Sequence, residues 1–376
     1  MRVVHVTTVP TSLIFIAGQI DWMRERGVDV HVISSPGAEL DAFGAAHSVP
    51  VYGVEMPRAI TPLEDLKAVR ALARVIRGIR PDIVHAHTPK GGLLGMMAAT
   101  AACVPYKIYH MRGLLTLTAK GARRRLLAAA ESTSTELADL VICQSHSLRA
   151  EALKQGLITT ERSTVLVQGS NGVNTQRFAP NANLGQMARS ELGIPQDARV
   201  VGFVGRLVGD KGVRELATAW REIGEDPRNH LLIVGDYEPR DPVPESTREF
   251  LSHAPNVHIV GWQTDTPRFY AAMDLLVLPT YREGFPNVPL EAAAMGLPVV
   301  ATEVVGCVDA VADGVTGTLV PARNVPRLRE AIERYLESPE LARRHGESGR
   351  RRMVTEFDPE VIYEALYHVY CHASGH

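Results

Sequence analysis

Short apolar runs recur along the chain, each followed by a longer stretch where apolar residues return every three or four positions. Val3-Val4-His5-Val6 is the first run, and Leu13 to Gly27 after it carries helical periodicity. Val28 to Ser34, Val51 to Val54 and Ile83-Val84-His85 continue the series. Thr61-Pro62-Leu63-Glu64 offers an N-cap, a proline at the first helical position and a glutamate three residues after the cap. That capping box predicts a helix running to about Gly78. The pattern restarts after Gly169-Ser170-Asn171-Gly172. Arg199 to Val204, Leu231 to Val234, Val257 to Val260, Asp274 to Leu278 and Pro298 to Ala301 read as strands, with a helix over Val213 to Glu222 and a last amphipathic helix over Phe357 to Tyr370. Unbroken apolar strands alternating with helices predict parallel sheets covered on both faces.

At roughly 150 residues per domain, 376 residues allow two such domains, with a boundary near residues 170 to 195. Lys plus Arg is 40 and Asp plus Glu is 42, a net charge of -2, which argues against a nucleic-acid-coating protein. Cys103, Cys143, Cys307 and Cys371 show no paired spacing, so neither a zinc site nor a disulfide framework is expected, and free thiols fit a reducing cytoplasm. The opening residues read as a strand and not as a signal peptide, and no apolar run is long enough to span a bilayer.

Ligands of open parallel sheets bind beyond the carboxyl ends of the strands. The strand ending at Val204 runs into Gly205-Arg206-Leu207-Val208-Gly209-Asp210-Lys211-Gly212 and then a helix. Glycines allow a tight turn and close approach, the helix start attracts an anion, and Arg206 with Lys211 supplies a planar fork and a point charge suited to a diphosphate. The same turn read alone equally fits a solvated surface turn. It is neither a Walker loop nor GxGxxG, which disfavours a nicotinamide dinucleotide. Beyond Leu278 come Glu283 in a loop and Glu291, which Pro289 as first helical residue would place in a first turn. Two carboxylates at this spacing suit the diols of two sugars in one ligand. Taken alone, Glu291 reads better as a residue complementing the helix dipole.

Together, the Gly205 to Gly212 turn, Glu283-Gly284-Phe285 through Glu291, and Asn171-Gly172-Val173 resemble the retaining glycosyltransferases of family 4. The resemblance spans the chain and is densest from about 199 to 320. EGFPNVPLEAAAMGLPVVAT and HAHTPKGGLLG are similar to the subgroup acting on capsular polysaccharide, exopolysaccharide or O-antigen units. It implies an α/β protein of GT-B fold, with two doubly wound Rossmann-like domains and the active site in an interdomain cleft. Residues 1–180 would bind acceptor, 181–356 nucleotide sugar, and the helix from 357 to 376 would cross back to the first domain. Arg206 and Lys211 would hold the donor diphosphate. Glu291 would hold the ribose. Glu283 would contact the transferred sugar and stabilise positive charge at its anomeric carbon. Gly205, Val260, Gly261, Gly284, Phe285, Pro286, Asn287 and Val288 would complete the donor site, with the base near Val260-Gly261-Trp262. Thr8, Ser12, His87, Lys90, His110, Arg112 and Asn171 would face the acceptor side.

The chain departs from the family pattern in four places. Thr7 to Ser12 lacks a double glycine, and the hydroxyls of Thr8, Thr11 and Ser12 are the candidates to replace it. Arg112, with His110 two residues earlier, stands where a histidine is frequent, and either could face the sugar. Asn174 and Asp309 replace an aspartate and a glutamate.

The implied chemistry retains anomeric configuration, and the departing phosphate takes the acceptor's proton. No D-x-D triplet occurs, so the reaction is expected to need neither metal nor cofactor. His85-Ala86-His87 shares one strand face but has no further metal ligand close in sequence, so His85 is read as a packed strand residue and His87 as an acceptor-side residue. Six basic residues and no acidic one between Lys107 and Ala130, interleaved with Leu114, Leu115, Leu117, Leu126 and Leu127, suit either an anionic inner membrane surface or a solvated helix face. The expected partners are a nucleotide sugar and a glycan or glycolipid acceptor, in a cytoplasmic protein peripheral to the membrane. The rivals are a GT-B-fold epimerase of UDP-sugars, a non-catalytic nucleotide-sugar-binding protein and, more distantly, a dehydrogenase.

Overall fold

The computed structural model describes residues 1–239 and 241–375. It resolves into two compact units, Met1–Ser170 with Pro359–His376, and Asn171–Asp358.

The first unit is a seven-stranded parallel sheet of β1 (Arg2–Val6), β2 (Asp29–Ser34), β3 (Val51–Gly53), β4 (Ile83–His87), β5 (Tyr106–Met111), β6 (Leu140–Cys143) and β7 (Ser163–Val165), in the order β3-β2-β1-β4-β5-β6-β7. β4 is buried at every residue, as a central strand covered on both faces must be. β6 and β7 are missing from the sequence reading because they are short and pass directly into polar turns. The segment expected as one helix from Leu13 divides into a 3-10 turn, Pro10–Phe15, and a helix, Ala17–Glu25. The helix Pro62–Ile79 buries Ala68, Val69, Leu72, Ala73, Ile76 and Ile79, the stripe its periodicity announces. Its capping box is a correction: Asp65, not Glu64, closes the turn. Asp65 accepts from the Thr61 hydroxyl at 3.0 Å and the Thr61 N–H at 3.3 Å, while Glu64 pairs with Lys67.

The second unit holds β8 (Arg199–Val204), β9 (Asn229–Val234), β10 (Val257–Ile259), β11 (Leu275–Leu278), β12 (Val299–Thr302) and β13 (Gly317–Val320), ordered β10-β9-β8-β11-β12-β13 and parallel throughout. The helix Val213–Ile223 lays Val213, Leu216, Ala217 and Trp220 onto this sheet. Those positions make one continuous stripe, so truncating Leu216 to Ala would cost about 2–5 kcal/mol.

The change of unit falls at 170/171 and not at 180. Asn171 to Pro180 packs with the second sheet: Val173 and Phe178 join its core, and the Val173 N–H donates to the Phe357 carbonyl at 3.0 Å. Phe357 itself, fully buried, belongs to that core, and the last helix starts at Pro359. That helix, Pro359–Ser374, returns to the first unit, burying Ile362, Leu366 and Tyr370 in the core that contains Ile20 and Met23.

Candidate active site

In the second unit the turn after β8 is fixed from three directions. Gly205 ends the strand by donating its N–H to Val234 O at 2.9 Å. The backbone then forms a 3-10 turn over Gly209–Lys211 and enters the helix through Gly212 in the left-handed region, φ 68°. A Cβ at Gly212 would stand 2.0 Å from the Pro279 carbonyl, so space and dihedral both require glycine. Asp241 straps the turn from the β9 side: its carboxylate accepts the Asp210 N–H at 2.8 Å and its carbonyl accepts the Gly209 N–H at 3.0 Å. From the β11 side, the Asp210 carbonyl accepts the Tyr281 N–H at 2.8 Å and the Thr280 hydroxyl at 3.1 Å, and its carboxylate takes Arg282 Nε at 2.8 Å.

The charges of this turn are coupled to acids. Lys211 Nζ pairs with Glu283, and both side chains are largely shielded from solvent. Arg206 pairs with Glu238 beyond β9, with its side chain 63% exposed. The turn is thus neutralised by carboxylates that an incoming diphosphate would have to displace. Neither Asp241 nor Glu238 stands out in the sequence, because the β9–β10 connection carries no motif and its closeness to the turn is a property of strand order.

Glu283 opens the loop after β11. Phe285 anchors it, 4% exposed with its ring 5.7 Å from that of Phe357. Gly306 lets a second turn press against it: a Cβ there would lie 2.6 Å from the Gly284 carbonyl. Asn171 was expected on the acceptor side and belongs instead to this loop, where its Nδ2 donates to Asn287 Oδ1 at 2.6 Å. The following helix spans Asn287–Ala294, with Pro286 as N-cap. Pro289 is therefore its third residue and Glu291 its fifth, beyond the first turn. Glu291 does not serve the helix dipole. Its carboxylate accepts the Tyr270 hydroxyl at 2.7 Å, and burial pushes the carboxyl above its ordinary range. Among the described residues no hydrogen bond or ion pair joins Glu291 to Arg206, Lys211 or Glu283. Val260 and Gly261 follow β10 directly: the Val260 N–H donates to Ile233 O at 3.0 Å, Gly261 sits at φ 71°, and Trp262 beside them is 65% exposed. Val288 is half-buried in the first turn of the Asn287 helix.

In the first unit, parallel register sets His5 of β1 opposite His85 of β4, and His87 of β4 opposite His110 of β5. All four rings are buried and in contact, three of the pairs stacked and two tilted; His85 and His87 have centroids 4.2 Å apart. Burial and the nearby Arg112 guanidinium push all four imidazoles below their ordinary range, His5 to about 3, so they are neutral. Arg112 closes β5, half-buried, with Nε and a terminal nitrogen each 3.4 Å from His87 Nδ1. His110, by contrast, is sealed in the interior at 2% exposure. Thr8 and Thr88 meet through their hydroxyls at 3.1 Å, and Ser12 lies half-buried in the 3-10 turn. Lys90 is not a free cation: it pairs with Asp65 at 2.7 Å and bonds the Ala59 carbonyl.

The fold also brings nitrogens of His5, His85 and His87 within 4.8 Å of one another, a proximity that the spacing of His85 and His87 alone could not reveal. A guanidinium has only donors, so His87 accepts from Arg112 at Nδ1, carries its proton on Nε2 and donates to His5 Nδ1, 2.9 Å away. A cation there would break that chain and sit beside a fixed positive charge, so the group reads as a hydrogen-bonded relay. On the helix Gly121–Leu137, Arg123, Arg124, Arg125 and Leu126 are exposed. Leu114 is buried, and Leu115, Leu117 and Leu127 are half-buried.

Two doubly wound units, the second presenting a glycine-lined basic turn at a helix start with an acidic loop beside it, are the architecture of the GT-B glycosyltransferases. Residues 198–338 match the family of glycosyl transferases group 1, and residues 14–167 match the glycosyl transferase 4-like domain. The chain belongs to this glycosyltransferase family. It is 34% identical over 373 residues to the capsular polysaccharide biosynthesis glycosyltransferase CapM of Staphylococcus aureus, covering 98% of this chain and 96% of that one. It is 27% identical to the Escherichia coli UDP-Gal:alpha-D-GlcNAc-diphosphoundecaprenol alpha-1,3-galactosyltransferase over 76% of this chain and 74% of that one. The fold is shared with Anabaena HepE, solved in complex with UDP, at a TM-score of 0.81 and 20% identity over 99% of both chains. The protein is a glycosyltransferase of polysaccharide biosynthesis.

Proposed function

We propose that the chain transfers a hexose-type sugar, with retention, from a UDP-sugar to a lipid-diphosphate-linked glycan of a bacterial surface polysaccharide. The observation that carries this reading is the Lys211–Glu283 ion pair where the phosphate turn meets the acidic loop. One partner suits the leaving diphosphate and the other the sugar. On donor binding, Lys211 and Arg206 exchange their carboxylate partners for phosphate oxygens, which frees Glu283 to face the anomeric carbon. The bond from that carbon to the diphosphate breaks as the acceptor oxygen bonds on the same face. The acceptor's proton passes to the departing phosphate, so the reaction needs no general base and no metal. Positioned donors of this kind are typically worth about 3 kcal/mol of barrier each.

UDP is favoured over GDP because the Escherichia coli relative is named for UDP-Gal and HepE was solved with UDP. The lipid-diphosphate acceptor is favoured by that same relative's diphosphoundecaprenol substrate and by a Campylobacter jejuni relative, 28% identical over 76% of the chain, named for a diphospho-undecaprenol acceptor. Such an acceptor places the enzyme at the inner leaflet, where the exposed Arg123, Arg124 and Arg125 would meet anionic lipid at about 1 kcal/mol per charge. No helix among the described residues is long and apolar enough to cross a membrane.

The test is incubation with a panel of UDP- and GDP-sugars, with and without diphospholipid acceptor and with EDTA present, followed by product analysis. Acceptor-dependent release of UDP that survives EDTA is expected. Turnover that yields an altered free sugar nucleotide without acceptor would replace this reading with an epimerase. For the membrane contact, changing Arg123, Arg124 and Arg125 together to Ala should reduce flotation with anionic liposomes, and unchanged flotation removes that part.

A further inference from the structure

Arg112 differs from the other basic groups named above in its surroundings. Among the described residues no carboxylate lies within ion-pair distance of it; its polar neighbour is the ring of His87. Burial pulls its guanidinium down to about 10, the mark of a half-buried cation that gives up water contacts without a compensating anion. Its neighbours do not compensate, because His5, His85, His87 and His110 are neutral and accept at most one bond each. Withdrawing a charge from water without a partner costs stability even when it is half-buried, and folded chains normally pair such a charge or expose it fully.

The proton order derived above makes the imbalance larger. With His87 donating to His5 Nδ1, the His5 proton stands on Nε2, a buried nitrogen without a hydrogen-bond partner. His85 is bonded through Nδ1 to the Tyr370 hydroxyl at 2.6 Å, and its Nε2 is likewise buried and unpartnered. Buried unsatisfied groups of this kind need an explanation. At the rim, Thr88 directly follows His87 with φ 68°, in a region that a β-branched residue adopts only under strain. Such strain persists where the surroundings impose it and clusters at ligand sites. An unpaired cation and a strained rim residue therefore stand at the carboxyl ends of β5 and β4, where parallel sheets bind ligands, with the orphaned nitrogens of His5 and His85 in the strands behind them.

We propose that the first unit binds an oxyanion, a carboxylate or phosphate group carried by the sugar it receives, seated on the Arg112 guanidinium. This rests on the reading of the first unit as the acceptor side and adds the charge of the group it selects. The planar fork of arginine matches either group through two parallel hydrogen bonds.

Binding of three small probes by the full-length chain tests the proposal: methyl glucuronide, glucose 6-phosphate and the neutral methyl glucoside. Calorimetric titrations are done in a Lys211→Ala background, so that the diphosphate turn of the second unit does not contribute. At least one anionic probe should bind tenfold or more tightly than methyl glucoside, and which of the two does so identifies the group. Arg112→Gln should abolish that preference, and Arg112→Lys should keep part of it. Equal binding of anionic and neutral probes, or an unchanged preference in Arg112→Gln, would overturn the proposal. Should Arg112→Gln fail to fold, the Arg112→Lys protein and the probe comparison on the parent still decide it. The titrations use no donor, so a failed transferase reading would appear separately, as absence of transfer with all sugar nucleotides.

Discussion

The two units carry the same architecture and treat charge in opposite ways. At the strand ends of the second unit three cations meet acids: Lys211 with Glu283, Arg206 with Glu238, Arg282 with Asp210. At the strand ends of the first, Arg112 stands over neutral imidazoles. A self-neutralised site must be opened by a ligand that offers better anions than its own carboxylates, which suits a diphosphate. An unbalanced site is completed by a ligand that brings the missing charge. The contrast does not extend inward: each unit holds a desolvated carboxyl against a tyrosine hydroxyl and, among the described residues, no ion-paired cation, Glu131 with Tyr109 at 2.6 Å in the first and Glu291 with Tyr270 at 2.7 Å in the second.

The sharpest way to break this comparison is to remove the acid that holds Lys211. Glu283→Ala should lower the rate of transfer by about 100- to 1,000-fold, the scale seen when a group acting on transition-state charge is deleted. UDP affinity, measured by calorimetry, should stay within about threefold, because Lys211 is released to the phosphates and not lost. A variant that transfers at the parent rate removes Glu283 from the chemistry. Lys211→Ala should damage both quantities: it takes away a phosphate ligand and leaves Glu283 facing that phosphate. A loss of about 10- to 100-fold in UDP affinity is expected, in line with one charge-assisted bond of 1.5–3 kcal/mol. If UDP binding is untouched, the turn does not hold the diphosphate.

The basic turn and the acidic loop are legible as local elements in the sequence alone. Gly212 announced a tight turn because a glycine between a strand and a helix has few other reasons to be there, and Lys211 and Glu283 followed from strand-end positions. What was not legible depends on strand order. Asp241 and Glu238 reach the turn because β9 is the neighbour of β8. The histidine group exists because β1 and β5 flank β4, so His5 and His110, far apart in sequence, face His85 and His87. Asn171 was assigned to the wrong unit for the same reason, since its partner Asn287 lies 116 residues away. The position of Glu291 differs for another reason: the proline at 289 marks a helix start in sequence, but the helix begins at Asn287, and two residues suffice to move a carboxylate out of a first turn.

The buried carboxyl of the first unit gives a prediction in stability. Desolvation raises the Glu131 carboxyl from 4.5 to about 7. The folded state therefore holds this proton more tightly than the unfolded one. Its contribution is fully present below about pH 4.5 and is lost as pH rises through about 7. The change is at most about 3 kcal/mol at 1.36 kcal/mol per pH unit. Glu131→Gln keeps a partner for Tyr109 and removes the titration. Thermal melts should show the parent losing stability between about pH 4.5 and 7 relative to this variant. Parallel pH profiles would mean that the surrounding core compensates the Glu131 carboxylate.

The smallest expected effect has the opposite sign and bears most directly on the idea of a self-neutralised site. If Glu238 restrains Arg206, then Glu238→Gln should improve donor binding. The gain is bounded by what the pair is worth. Arg206 is 63% exposed, and exposed pairs contribute about 0–1 kcal/mol, so affinity for UDP should rise by no more than about fivefold. The gain should shrink as salt is raised, because the pair and the phosphate contact are both screened. Arg206→Ala must abolish it, since without the guanidinium there is nothing to release. A loss of affinity in Glu238→Gln would show instead that this acid orients Arg206 toward the phosphates. Arg206–Glu238 would then be a preformed claw, and Lys211–Glu283 alone would exchange partners on binding.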